Sequence, residues 1–270
     1  MEIIIGYIGA LFIGIALGLI GGGGSILTVP VLVYLLGIDP VLATTYSLFI
    51  VGLTSLVGGI RAYRQGMVDV KTAVLFGIPA IVSVYFTRSI LLPALPKELF
   101  VFQEIVVTKP LFLMLLFALV MVLASISMIT KKCSFTSDDL EAVPVTFNYT
   151  AIVLEGLVVG VLTGLVGAGG GFLIIPALVL FSKLSMPKAV GTSLLIIAAK
   201  SLIGFTGDLP HMTIDWMFLF VFSLISIGGI IIGIQFSKKV SPCRLTHGFG
   251  WFVLLMGIYI VLKEFQIINL

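Results

Sequence analysis

The chain has 270 residues, of which 60% are hydrophobic and 10% charged, with a net charge of +3. That is too little polar surface to coat a soluble globule of this size, so composition excludes a soluble enzyme or binding module and points to an integral membrane protein. The small positive balance implies no nucleic-acid partner, because cytoplasmic loops of membrane proteins carry such charge anyway.

In chain order the lipid-soluble stretches are 3–20, 26–36, 41–60, 70–87, 111–129, 149–166, 172–181, 189–207, 214–237 and 249–262. They are predicted helices, since closed barrels show short alternating segments instead. No basic segment precedes the first stretch and no small-residue cleavage site follows it, so no removable signal peptide is expected. Spans of ~20 residues cross a bilayer, and 26–36 and 172–181 fall well short of that. Each of these short stretches follows a glycine run: Gly21, Gly22, Gly23 and Gly24 in one case, Gly167, Gly169, Gly170 and Gly171 in the other.

The two runs belong to an internal repeat. A gapless shift of 146 residues pairs Gly14 with Gly160, Gly18 with Gly164, Gly21 with Gly167, Gly24 with Gly170 and Pro30 with Pro176, and continues through Ser47/Ser193, Ser55/Ser201 and Gly58/Gly204. The expected organisation is a first repeat over 1–130 (hairpin 3–36, spans 41–60, 70–87 and 111–129), a cytoplasmic linker over 131–148, and a second repeat over 149–270 (hairpin 149–181, spans 189–207, 214–237 and 249–262).

Loop charges decide how each glycine-broken pair runs. If it folds back as a hairpin, one side of the membrane receives Arg61, Arg64, Lys71, Lys131, Lys132, Lys183, Lys188, Lys238, Lys239 and Arg244. The other side then receives only Arg88, Lys97, Lys109 and Lys263. If the pair runs straight through, this bias vanishes, so the positive-inside rule favours hairpins. Each hairpin is followed by an odd number of crossings, which inverts the second repeat. The fold class expected is therefore an all-α polytopic membrane protein of two inverted repeats, each a re-entrant hairpin broken at a glycine-rich tip and followed by three transmembrane helices. Both termini lie outside on this topology, and Cys133 and Cys243 face the cytoplasm as reduced thiols.

Non-helical backbone cannot face lipid, so the tips must be buried against protein or wetted. Glycine leaves backbone N–H groups uncovered, and a helix opening at Ser25 or Gly171 in mid-membrane offers free N–H groups and the positive end of its dipole to an anion. The competing reading is close helix packing, which Gly14/Gly18 and Gly160/Gly164 serve at small-xxx-small spacing. Lys200 lies mid-span, where a lysine is costly; it reads as counter-charge to a bound anion, against snorkelling or pairing with Glu155. Ser47, Thr192 and Ser193 are hydroxyl donors at matched distances from the tips, or back-bonders to their own helices. The expected anion site thus comprises Gly21, Gly22, Gly23, Gly24, Ser25, Ser47, Gly167, Ala168, Gly169, Gly170, Gly171, Thr192, Ser193 and Lys200. Glu155 carries a coupling proton or lies near the cytoplasmic interface. Asp208, His211 and Asp215 read as a solvated loop rather than a metal site, and Arg61 and Arg64 as headgroup anchors. No catalytic constellation, cofactor motif or metal cluster is expected.

The strings Gly18-Leu-Ile-Gly-Gly-Gly-Gly-Ser-Ile-Leu-Thr-Val-Pro30 and Gly164-Leu-Val-Gly-Ala-Gly-Gly-Gly-Phe-Leu-Ile-Ile-Pro176 resemble the paired signature of the TauE/SafE family of sulfite and organosulfonate exporters. Ser47-Leu48, Thr54-Ser55-Leu56, the exit Tyr63 to Asp69 and Gly191-Thr192-Ser193-Leu194 extend the likeness over nearly the whole chain. The resemblance implies a prokaryotic-type inner-membrane permease for sulfur oxyanions or sulfonates. Tyr46 stands where the family tends to have Thr, and Lys200 where a neutral polar residue is commoner. The expected function is a secondary transporter of a small anion working by alternating access, with an anion channel of the same architecture as the alternative. Its partners are the substrate, the bilayer and a coupling ion, proton or sodium.

Overall fold

The computed structural model describes residues 2–96, 98–102, 105–130, 149–180, 182, 184–237 and 242–268. The linker 131–148, with Cys133 and its lysines, lies outside the described residues. The first repeat runs α1 (Glu2–Ile20), a 3-10 segment (Gly21–Leu27), α2 (Thr28–Pro30), a π turn (Val31–Leu35), α3 (Pro40–Arg64) and α4 (Val70–Phe86), which continues through a second π turn (Thr87–Leu91) into α5 (Leu92–Ala94). Two strands, β1 (Glu98–Phe102) and β2 (Ile105–Thr108), then pair antiparallel ahead of α6 (Lys109–Thr130). The second repeat runs α7 (Tyr149–Val166), α8 (Gly171–Leu180), α9 (Met186–Asp208), α10 (Trp216–Ser237) and α11 (Pro242–Ile268). Among the described residues, seven stretches are long and apolar enough to cross a membrane, as expected for an all-α polytopic protein. The strand pair was not anticipated; its aromatic and β-branched residues favour extended backbone once the chain leaves the apolar spans.

Helix starts follow from local chemistry. Asp39 accepts hydrogen bonds from the N–H groups of Val41 (2.9 Å) and Leu42 (3.2 Å) with Pro40 in the first helical turn, which fixes the start of α3. Asp69 caps α4 through the Thr72 N–H at 2.7 Å, and its repeat mate Asp215 caps α10 through the Phe218 N–H at 3.0 Å. At the start of α9, Ser185 makes no side-chain cap and Pro187 lies in the first turn. The mated helices still start in one register: α3 and α9 begin at residues 40 and 186, α4 and α10 at 70 and 216.

Contacts repeat under the same shift. A Cβ at Gly14 would strike the Ser226 carbonyl and lie 2.9 Å from Gly229 Cα; one at Gly160 would lie 2.7 Å from the Ala80 carbonyl and from Ser83 Cβ, the mates of those residues. Gly18 faces Gly233 as Gly164 faces Thr87, and Gly58 faces Ile230 and Leu194 as Gly204 faces Val84 and Leu48. Thus α1 packs on α10 of the other repeat and α7 on α4, while α3 packs on its mate α9 and α6 on α11. At the start of α9, Gly191 touches Ala62 and Met67; at its end, Asp208 bonds Thr45, so α3 and α9 run antiparallel.

The stretch 5–35 is apolar throughout but not straight. Leu36 lies against Gly6, Val31 against Gly9, and Gly24 against the backbone of Ala16 and Leu17, the contacts of a chain that doubles back at its glycines. Large apolar side chains point outward where lipid would lie, among them Phe12 (62% exposed), Met217 (78%) and Leu224 (66%). Lipid tails are as apolar as those side chains, so helix association rests on close packing at small residues.

Replacing Gly160 with Leu drives a side chain into the α4 backbone and is expected to destabilise by roughly 1–3 kcal/mol, the usual scale of overpacking. Gly228→Leu, at a position with nothing within 4 Å, should leave thermal stability in detergent unchanged. Equal melting temperatures for the two variants would contradict packing at the α4–α7 contact.

Candidate functional site

The two glycine runs meet. A Cβ at Gly22 would lie 2.6 Å from Gly171 Cα, and one at Gly171 would overlap the Gly22 backbone, so peptide chain touches peptide chain with no side chain between. Gly169 lies against Ser25 and Val51, at 3.2 and 2.6 Å from its added Cβ. The turns into the runs are made by mates with near-equal backbone angles, φ 71° at Gly21 and 73° at Gly167, a region other residues rarely enter. Gly21 abuts Val190 of α9, and Gly167 abuts its mate Thr44 of α3.

Beyond the turn the runs differ. Gly171 opens α8 as expected, with the N–H groups of Leu173 and Ile174 both donating to the Gly170 carbonyl at 3.0 Å. In the first repeat the chain remains a 3-10 helix through Leu27, so Ser25 does not open an α-helix; its hydroxyl donates to the Gly22 carbonyl at 2.7 Å. Four glycines in succession give no i→i+4 preference, and the tighter winding keeps the backbone compact between α1 and α8.

Lys200 is 1% exposed and lies at the second tip: a Cβ at Gly170 would be 2.8 Å from its Nζ. The ammonium donates to Thr163 Oγ1 at 2.7 Å. Among the described residues it has no acidic partner. Glu155, the acid considered for it, keeps a buried Oε2 with no hydrogen bond. A lysine held by one hydroxyl retains two donors and an unneutralised charge next to the start of α8.

The other expected donors divide. Ser47 is fully buried, and its hydroxyl has no partner. Ser193 donates back to the Val190 carbonyl at 2.8 Å, the back-bonding alternative. Thr192 is a structural tie, because its Oγ1 accepts the Asp69 N–H at 2.9 Å. Its mate Tyr46 does the same across the repeat, accepting the Asp215 N–H at 2.9 Å, which accounts for the tyrosine. Ala168 is buried within the second tip.

A cavity of about 380 Å³ opens between the tips and one end of the bundle. It reaches Gly23 and Phe172 at its floor and Arg61, Gln65 and Met186 at its mouth. Neither Lys200 nor Gly167, Gly169, Gly170 or Gly171 lines it, so the lysine sits behind the meeting of the tips rather than in the open space.

The opposite end is closed by a cluster the sequence reading missed. Arg88, fully buried, donates from Nη1 to Asp208 Oδ2 at 2.9 Å and to Thr44 Oγ1 at 3.1 Å; the Thr45 hydroxyl donates to the same carboxylate oxygen at 2.8 Å. Arg88 was placed among loop charges and Asp208 in a solvated loop, but α4 continues as a π turn past Arg88 and α9 extends through Asp208, which carries both inside. The apolar Ile90-Leu91-Leu92 after Arg88 was the available signal.

Residues 7–260 match the family described as Sulfite exporter TauE/SafE. The chain is 28% identical over 256 residues to a probable membrane transporter protein of Xylella fastidiosa (strain 9a5c), covering 93% of this chain and 92% of that one. It is 27% identical to YjnA of Bacillus subtilis (93% and 96% covered) and 28% identical to MJ0441 of Methanocaldococcus jannaschii (97% and 95%), each likewise named a probable membrane transporter protein. No solved structure matches. With the family match spanning almost its whole length, on a frame of apolar spans joined at two glycine runs, the chain belongs to the TauE/SafE sulfite exporter family.

Proposed function

We propose that the protein is a secondary transporter of a small anion, sulfite or an organosulfonate, working by alternating access between two inverted repeats. The observation that carries this reading is the backbone contact of Gly22 with Gly171 beside the buried, unpaired charge of Lys200. Both hairpins are read as re-entrant, which the doubling back of 6–36 and the antiparallel run of α3 and α9 support. The positive-inside bias assigns the Arg61 end to the cytoplasm.

The anion enters through the cavity and reaches Gly23, then the N–H groups at the start of α8. There the helix dipole and the Lys200 ammonium face it together, in surroundings of low dielectric where both count for more than in water. A sulfite or sulfonate group spreads its charge over several oxygens and accepts from all of these donors at once. Ser47, whose hydroxyl is unpartnered, adds one more. A cavity toward the Arg61 end with a buried ion pair at the Arg88 end favours a carrier, because a channel needs both ends open together.

Removing the ammonium by Lys200→Leu deletes a charge-assisted hydrogen bond worth roughly 1.5–3 kcal/mol, so sulfite affinity should fall roughly 10–100-fold while the protein stays folded. Thermal shift of the purified protein against sulfite and methanesulfonate measures this, and unchanged shifts would remove the lysine from the site. Gly170 has φ 69° and no room for a side chain beside Lys200 and Thr163. Gly170→Leu is therefore expected to abolish saturable uptake and counterflow in proteoliposomes, and normal flux would leave the tip a packing device. Conductance steps in planar bilayers with no counterflow would favour the channel.

A further inference from the structure

The shift that relates the repeats carries the closed end of the molecule onto its open end. Arg88, Asp208, Thr44 and Thr45 have as mates Ile234, Ala62, Val190 and Gly191. All four of those mates line the cavity at the Arg61 end. The positions that part to form an opening on one side are therefore the positions that hold a buried ion pair on the other. Repeats of opposite orientation exchange their conformations when the transporter reverses, so the open state of the Arg88 end is the present Arg61 end with its residues replaced by their mates. In that state Arg88 and Asp208 face each other across a water-filled opening.

The bonding of Arg88 in the closed state points to what happens there. Its Nη1 serves Asp208, Thr44 and Thr45, while Nε and Nη2 are buried without a partner. Buried donors without partners are rare in native proteins, and here they form the edge of the guanidinium that grips oxyanions through two parallel N–H bonds. Lys109 at the start of α6 is in electrostatic reach of both Arg88 and Asp208, a second cation beside this pair.

We propose that Arg88 and Asp208 are the gate at this end, closed as an ion pair when the Arg61 end is open. When the gate parts and Asp208 leaves Nη1, the free Nε–Nη2 edge of Arg88 takes the oxyanion of the passing sulfite or sulfonate. This rests on the carrier reading above, and deepens it by naming the residues that hand the anion across the second side.

The test uses full-length protein with Cys133 and Cys243 replaced by Ser, purified in nanodiscs so that both faces meet reagent. Leu194, 3% exposed, lines the open cavity, and its mate Leu48, 1% exposed, lies beneath the closed end. A cysteine at Leu194 should react with a charged thiol reagent faster than one at Leu48, because only the first borders open space. Asp208→Asn should raise the Leu48→Cys rate about tenfold and lower the Leu194→Cys rate, as expected for a shifted two-state equilibrium. Should that variant leave Arg88 unpaired and fail to fold, Arg88→Met with Asp208→Leu removes both charges together, the change that buried pairs tolerate best. It predicts the same rates. An unaltered Leu48→Cys rate in a folded variant overturns the gate. Arg88→Lys keeps the charge and loses the fork, so it should raise the KM for sulfite transport about tenfold, and an unchanged KM overturns the anion contact. Absence of sulfite or sulfonate transport by the parent protein sinks the carrier reading and the anion contact with it, while the thiol rates judge the gate by themselves.

Discussion

Peptide chains approach to backbone contact only where neither residue carries a side chain, and the meeting of Gly22 with Gly171 is such a place. Everything else is arranged to permit it. Mated left-handed turns at Gly21 and Gly167 end α1 and α7. The inner pair α3 and α9 supplies the walls, with Val190 and Thr44 under the two turns. A backbone left uncovered inside a membrane protein must satisfy its polar groups with protein, water or a guest, so the contact that joins the halves also concentrates peptide groups away from lipid.

The frame is symmetric and its chemistry is not. Packing contacts recur pair by pair across the repeat, as at Gly58 with Ile230 and Gly204 with Val84. The buried charges have no such mates. Lys200 faces Thr54, Arg88 faces Ile234, and Asp208 faces Ala62 across the shift of 146 residues. Van der Waals fit at small residues needs equivalent shapes on both sides, which keeps the frame regular. A buried charge is costly and is retained only where it performs a task, so one cation per position suffices. The Arg88–Asp208 pair shows the consequence, since two ions taken out of water are held by each other and by Thr44 and Thr45.

Polar residues in the spans do two kinds of work that composition cannot separate. Thr192 and Tyr46 each receive the N–H of an aspartate that caps a helix of the opposite lipid-facing pair, and so tie α3 and α9 to α4 and α10. Lys200 bonds only Thr163 among the described residues, and the hydroxyl of Ser47 has no partner there, so neither is spent on tying helices of the frame together. Thr192 and Ser193 were grouped with these by distance from the tips alone, and adjacency along a helix does not say which face a side chain occupies.

The sequence by itself determined the membrane class, the helical spans though not their ends (249–262 became Pro242–Ile268, and 70–87 continues through Ala94), the repeat and its register, and the family, because hydropathy and glycine spacing act locally and are written in order along the chain. It also marked Lys200, since a lysine in mid-span stands out against apolar neighbours. Tertiary structure alone decided which hydroxyl faces which partner, that the open space stops at the tips, and that Arg88 and Asp208, 120 residues apart, form one buried pair. Those facts depend on how far a helix extends past its last apolar residue and on which helix it then meets. A difference of one turn moves a charge from solvent to core, and only the packed molecule settles that turn.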